Sequence, residues 1–168
     1  MDGDRILTDS ASILVYLAGT HSDSGTSKTP SSFWSNDAAD QASIVEWLAF
    51  SAGWIKSGVC NARGLVKFKT VSDGSGAGDL QSKLEGAQAL GKRSLGLLEK
   101  RLEKQEWLTL GRPTVADVSV FPYVALAPVG DISLDPYPAV RSWIMRVRGL
   151  PRFIPMHGLD DLIYWRRG

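Results

Sequence analysis

The sequence predicts an all-helical chain, and three observations carry that reading. Apolar residues recur every three or four positions over most of its length, the spacing that lines them along one helix face. Helix starts are signalled at Ser10, at Thr114 with Asp117 three residues later, and at Pro138. Turns and stops are marked by Gly111-Arg112-Pro113 and by Pro151.

Taken in order, Arg5 to Thr8 reads as a short strand-like stub. Ser10 stands at the N-cap position ahead of Ile13, Leu14 and Leu17. Gly19 to Ser32, rich in Ser, Thr and Gly with Pro30 near its end, reads as a surface linker. A long helical pattern runs from about Asp37 to about Phe68, with Ile44, Trp47, Leu48, Ser51, Trp54 and Ile55 on its stripe. Gly53, Gly58 and Gly64 interrupt it, each costing up to about 1 kcal/mol relative to Ala. A break near Gly58, close packing, or open space for a ligand would account for them. Val71 to Gly78 is a loop. From Asp79 to Lys104 a further amphipathic helix ends in Lys100, Arg101 and Lys104, which suit the negative end of its dipole. Thr114 and Asp117 form a capping box for the next helix, inside which Pro122 should disturb a turn. The last helix, from Pro138, turns Val140, Trp143, Ile144 and Val147 inward.

Composition excludes several classes of function. Of 168 residues, 43% are hydrophobic and 22% charged, a balance that suits one globular domain. A net charge of +1 gives no global field to attract nucleic acid or an anionic membrane. One Cys excludes an internal disulfide, and two His leave few metal ligands, so no metal site is expected. Neither a signal peptide nor a membrane-spanning run is present, which points to the cytoplasm. Six Trp imply a well-filled core or a cleft lined with flat apolar side chains.

Three segments in order resemble the glutathione transferase superfamily. Ile6 to Ala18 (ILTDSASILVYLA) resembles the last strand and third helix of its thioredoxin-like domain. Trp107 to Tyr123 (WLTLGRPTVADVSVFPY) resembles the sixth-helix signature, whose Thr and Asp form a capping box. Tyr137 to Trp143, followed by Leu150 to Met156, resembles the closing helix of bacterial and fungal members. The resemblance implies an all-α bundle of the superfamily's C-terminal type over 33–168, a linker over 19–32, and a vestige of the thioredoxin-like domain over 1–18. It also implies that the thiol-activating residue and the cis-proline loop of complete members are missing. An N-terminally truncated member would expose apolar surface, so a homodimer or a partner covering the missing half is expected.

The resemblance directs attention to two places. Asp9 and Ser10 match the pair that holds the γ-glutamyl end of glutathione, although simple helix capping explains the same residues. Trp47, Phe50, Ser51, Trp54, Ile55, Lys56 and Ser57 match the helix that lines the pocket for the hydrophobic co-substrate, and Arg63 could bind an anionic group there. Core packing is the plainer account of Trp47 and Tyr123, and a solvated charge that of Lys56. In an apolar cleft, Lys56, Ser51 and Tyr123 would be the catalytic donors. Cys60, His21 and His157 are read as inert.

The expected function is therefore binding, or transformation by isomerisation, cyclisation, elimination or addition, of a hydrophobic or aromatic small molecule of secondary metabolism. It requires no cofactor, and glutathione conjugation would need another chain to supply the missing half. The alternative is a non-catalytic protein-interaction module on the same fold.

Overall fold

A computed structural model describes Asp4 and residues 6–20, 33–68 and 77–156. Arg5, His21, Pro30, residues 71–76 of the expected loop, His157 and Trp165 to Arg167 lie outside the described residues.

Among the described residues there are six α-helices: α1 Ser10–Thr20, α2 Ala38–Phe50, α3 Asn61–Phe68, α4 Ala77–Leu102, α5 Val115–Ala125 and α6 Pro138–Arg148. A π-helical segment, Ser51–Cys60, joins α2 to α3 without a break, and a 3₁₀ turn, Ala127–Gly130, follows α5. No strand is found among the described residues. The strand-like reading of 5–8 fails at its described positions, 6–8, which are irregular, with Ile6 75% exposed. Among the described residues no partner strand stands beside them to take up their backbone groups.

The helix starts follow local chemistry. α1 is capped by Asp9 rather than Ser10: one carboxylate oxygen accepts from the Ala11 N–H at 2.9 Å and the Ser12 N–H at 3.1 Å. Ser10 is the first helical residue. Asp37 caps α2 in the same way, accepting from the Ala39 and Asp40 N–H groups.

The long pattern over 37–68 is a single column, and it widens where the sequence suggested a break. Within the π segment the Asn61 N–H reaches the Lys56 carbonyl five residues back. The wide turn seats the column against α4. A Cβ built on Gly58 would lie 2.5 Å from the Gly91 backbone nitrogen, so only glycine permits that approach. Ser94 of α4 adds a hydroxyl donated to the Trp54 carbonyl at 3.3 Å.

The core lies between the column, α4, α5 and α6. Ile44, Ile55, Val59, Leu95, Leu98, Val120, Trp143 and Ile144 are fully buried. Fully burying such side chains contributes about 1.5–3 kcal/mol each for the aliphatic ones. Glu99 of α4 closes one end, its two oxygens accepting from the Ala139 and Val140 N–H groups at 2.9 Å each and so capping α6 across the core.

Asp117 ties the other end together. The expected capping box is present: the Thr114 N–H donates to its carboxylate at 2.9 Å, and the Thr114 hydroxyl accepts from the Ala116 N–H. The same carboxylate also accepts from the Leu108 N–H and the Trp143 indole N–H. Burial nonetheless pushes the Asp117 carboxyl above its ordinary value of 3.8, against the opposing pull of those donors.

Candidate functional site

A cleft of about 500 Å³ opens between α1, the α2–α3 column and α5. The column supplies Leu48, Ser51, Ala52, Lys56 and Arg63 as one wall. α5 supplies Val118, Ser119, Pro122 and Tyr123, with Leu126 just beyond its end. α1 supplies the third side through Asp9, Ser10, Ala11, Ile13 and Leu14, and Met156 lies at its edge. Apolar atoms dominate these walls.

Of the residues singled out from sequence, the structure brings Ser51, Lys56, Arg63, Tyr123, Asp9 and Ser10 together around this space. Trp47, Phe50, Trp54, Ile55 and Ser57 do not line it. Ile55 is fully buried in the core, and Ser57 is exposed. Trp54 stands on the opposite flank of the column, 41% exposed and stacked on Phe50 at 6.3 Å between ring centroids. Arg93 lies over the Trp54 ring at 5.2 Å, and Arg101 over that of Trp47 at 5.8 Å. Trp54 and Lys56 are two residues apart in the π segment, close to half a turn around the column, so one cleft cannot take both.

The polar groups differ in what they have to offer. The Ser51 hydroxyl is almost buried and bonded between helices: it donates to the Ser119 carbonyl at 3.2 Å and accepts from the Ser119 hydroxyl at 3.0 Å. Asp9 spends one carboxylate oxygen on capping α1. Tyr123, half-buried, makes no hydrogen bond among the described residues. Lys56 is exposed at the mouth, and Arg63 is half-buried. Neither cation forms an ion pair among the described residues. Cys60 is a free thiol that does not line the cleft.

Sequence reading passed over the α5 wall beyond Tyr123. Val118, Ser119, Pro122 and Tyr123 follow the spacing of one helix face, so the signal was present once Tyr123 had been placed on the cleft. Among the described residues no group of three or more His, Cys, Asp or Glu could hold a metal ion. No described helix is long and apolar enough to cross a membrane.

Comparison with known proteins agrees with this architecture. Residues 81–146 match the family described as glutathione S-transferase, C-terminal domain. The disulfide-bond oxidoreductase YfcG of Escherichia coli is 27% identical over 145 residues, which cover 86% of this chain and 60% of that protein. A crystal structure of a glutathione S-transferase from Xanthobacter autotrophicus superposes with a TM-score of 0.78 at 26% identity, covering 96% of this chain and 71% of the other. One of a possible glutathione S-transferase from Rhodopseudomonas palustris gives 0.74 at 29% identity, covering 91% and 63%. The chain thus spans about 60% of the length of its curated E. coli relative. Its fold is the helical fold of the glutathione S-transferase C-terminal domain, whose family model matches residues 81–146.

Proposed function

We propose that the cleft between α1, the column and α5 binds a hydrophobic small molecule. The observation that carries this reading is the cleft itself: about 500 Å³, walled mostly by apolar side chains, with a few polar groups converging on it. Those groups are Tyr123, whose phenol is unengaged among the described residues, and the cations Lys56 and Arg63. Ser51 serves here as a brace between the column and α5 rather than as a donor to the ligand.

Where the ligand is also transformed, the reactions that suit the site are isomerisation, cyclisation, elimination or addition. Tyr123 and Lys56 would then steady charge that develops on the bound molecule. The reading does not call on glutathione. The carboxylate that matches the family's γ-glutamyl contact is engaged in capping α1, with one oxygen holding two backbone N–H groups.

The test is calorimetric titration with a panel of neutral aromatic compounds, glutathione included as a separate arm. Ala52 lines the cleft and is exposed, so Ala52→Trp fills the space with little disturbance of the core. The expected result is one-to-one binding by the wild type and none by the variant. Binding that survives Ala52→Trp places the ligand elsewhere and refutes the reading, and tight binding of glutathione alone refutes the part that dispenses with it.

A second reading, a docking module, is favoured by a different surface. Trp54, Leu90 and Leu97 are each more than 40% exposed, on a flank formed by the column and α4. A homodimer or another partner would cover that flank. Sedimentation of the wild type and of Leu97→Glu distinguishes the two readings: an assembly lost in the variant supports docking, and a monomer throughout opposes it.

A further inference from the structure

We infer that the exposed face of α4 is a docking seam for a helix of a partner protein, one whose own seam alternates leucine with carboxylate. This rests on the docking reading of the flank formed by the column and α4, and it names the partner which that flank fits.

Gly86, Leu90, Arg93, Leu97 and Lys100 follow one another at intervals of four, three, four and three residues, and all five are exposed. That is the spacing of a coiled-coil seam, with leucine at both of its a positions. The five span about 21 Å of α4, the length of two heptads. This stripe is not the one that holds α4 in the fold. Ala87, Leu95, Leu98 and Leu102 form a separate stripe buried in the core. Single exposed leucines are ordinary on a surface. Here the register sets them apart, together with the Trp54 ring on the neighbouring column, itself 41% exposed.

The seam carries charge of one sign. Arg93 and Lys100 stand on it, Lys104 continues its spacing just past the helix end, and no Asp or Glu occupies it. Glu85 and Glu103 lie about a quarter of a turn away, on the side of Lys92. Glu99 is buried, with both oxygens engaged by α6. Unpaired surface cations are common; a leucine seam whose only charges are cations is the pattern that a partner's carboxylates complement. Arg93 is also held in readiness. Its guanidinium lies over the Trp54 ring at 5.2 Å, and Trp54 stacks on Phe50. Arg101 spends its Nε–H on the Leu108 carbonyl, whereas the N–H groups of Arg93 make no hydrogen bond among the described residues. A guanidinium already seated on a ring gives up less freedom on meeting a carboxylate. A second copy of this chain is the poorer fit, because it would bring further cations to the seam, and like charges face to face repel.

The probes are three alanine-based helical peptides of three heptads each, with Leu at every a position and Glu, Gln or Lys at every d position. They are titrated into the full chain by fluorescence anisotropy. Wild type is set against the double variant Arg93→Glu with Lys100→Glu, with circular dichroism and a thermal melt to verify folding. We expect the wild type to bind the Glu peptide about tenfold tighter than the Gln peptide and the Lys peptide weakest, a gap that added salt narrows. The double variant should reverse that order, which a loss of folding would not do. Equal binding of the Glu and Gln peptides by the wild type would overturn the inference and leave the docking reading standing. A preference for Glu that survives in the double variant would overturn the assignment to this seam. If no peptide binds and the wild type self-associates in a way that Leu97→Glu abolishes, the face belongs to a second copy and the inference alone fails. If no peptide binds a wild type that stays monomeric, both fail.

Discussion

Replacing Asp117 by Asn changes one atom and should cost more than most core truncations of a methyl group. In the native chain one carboxylate oxygen accepts from the Leu108 N–H at 3.1 Å and the Trp143 indole N–H at 2.9 Å. The other accepts from the Thr114 N–H at 2.9 Å and the Thr114 hydroxyl at 3.2 Å. An Asn side chain can keep only one such pair. If its oxygen stays with Leu108 and Trp143, its amide group faces Thr114, whose hydroxyl can turn to accept but whose N–H cannot. One buried donor is orphaned, at about 1–3 kcal/mol, and the two surviving bonds lose their charge assistance. Relief of the buried charge offsets part of this, leaving a net loss of about 2 kcal/mol.

Urea denaturation at pH 7 should show that loss as a lower midpoint with an unchanged slope, and melting should fall by about 4–8 °C. Asp117→Ala, which orphans three buried N–H groups, should be worse. Asp117 also sets a pH dependence. Burial raises its pKa above 3.8 in the folded protein, so the folded chain holds this proton more tightly than the unfolded one. The residue's pH-linked contribution is present in full below 3.8 and is lost as the pH rises through the folded-state value. The stability of wild type minus that of Asp117→Asn should therefore shrink over that window. An Asn variant within about 0.5 kcal/mol of wild type at pH 7, or an Ala variant milder than the Asn, would refute the account of Asp117 as a fully used four-donor acceptor.

Two further substitutions probe how the column is held. Gly58→Ala brings a methyl group against the backbone of Gly91 and Leu90, which cannot move aside cheaply, so it should lower stability by at least about 1–3 kcal/mol in urea denaturation. Glu99→Gln turns one of two buried capping oxygens on α6 into a donor facing an N–H, and should cost about 1–3 kcal/mol by the same assay.

Much of the fold was legible because helices announce themselves twice, by spacing and by their ends. The capping box at Thr114 and Asp117, the start at Pro138 and the column from Asp37 all stand where the sequence placed them. The cap of α1 moved by one residue because Asp9 and Ser10 both suit an N-cap, and only the backbone decides which carbonyl opens the helix. The π segment was not legible. It coincides with the close approach of Gly58 to Gly91 on α4, a contact between residues far apart in the chain. The site was half legible. Reading Trp47 to Ser57 as one wall merged three faces of one helix. Ile44, Leu48, Ile55 and Ala62 form a stripe buried in the core, while Ala52, Lys56 and Arg63 lie to the side that lines the cleft. Trp47, Phe50 and Trp54 lie to the other. The sequence held this division, and the attraction of three aromatic rings obscured it.

That division gives the column two flanks of different chemistry, and the difference bears on function. The aromatic flank is already partly satisfied: Arg93 and Arg101 lie over Trp54 and Trp47, and Phe50 stacks on Trp54 while meeting Trp47 edge to face. Its cations are engaged with its rings. The cleft flank is the reverse, with cations that meet no ring or carboxylate among the described residues and apolar walls that enclose open space. Its far side, α1, contains no fully buried residue, and its Leu14, Val15 and Ala18 are only partly covered by the core. A molecule seated in the cleft would therefore touch the most firmly built part of the fold on one side and the least buried helix on the other. Contacts with the column would set its selectivity, and contacts with α1 would add to that helix some of the burial it lacks.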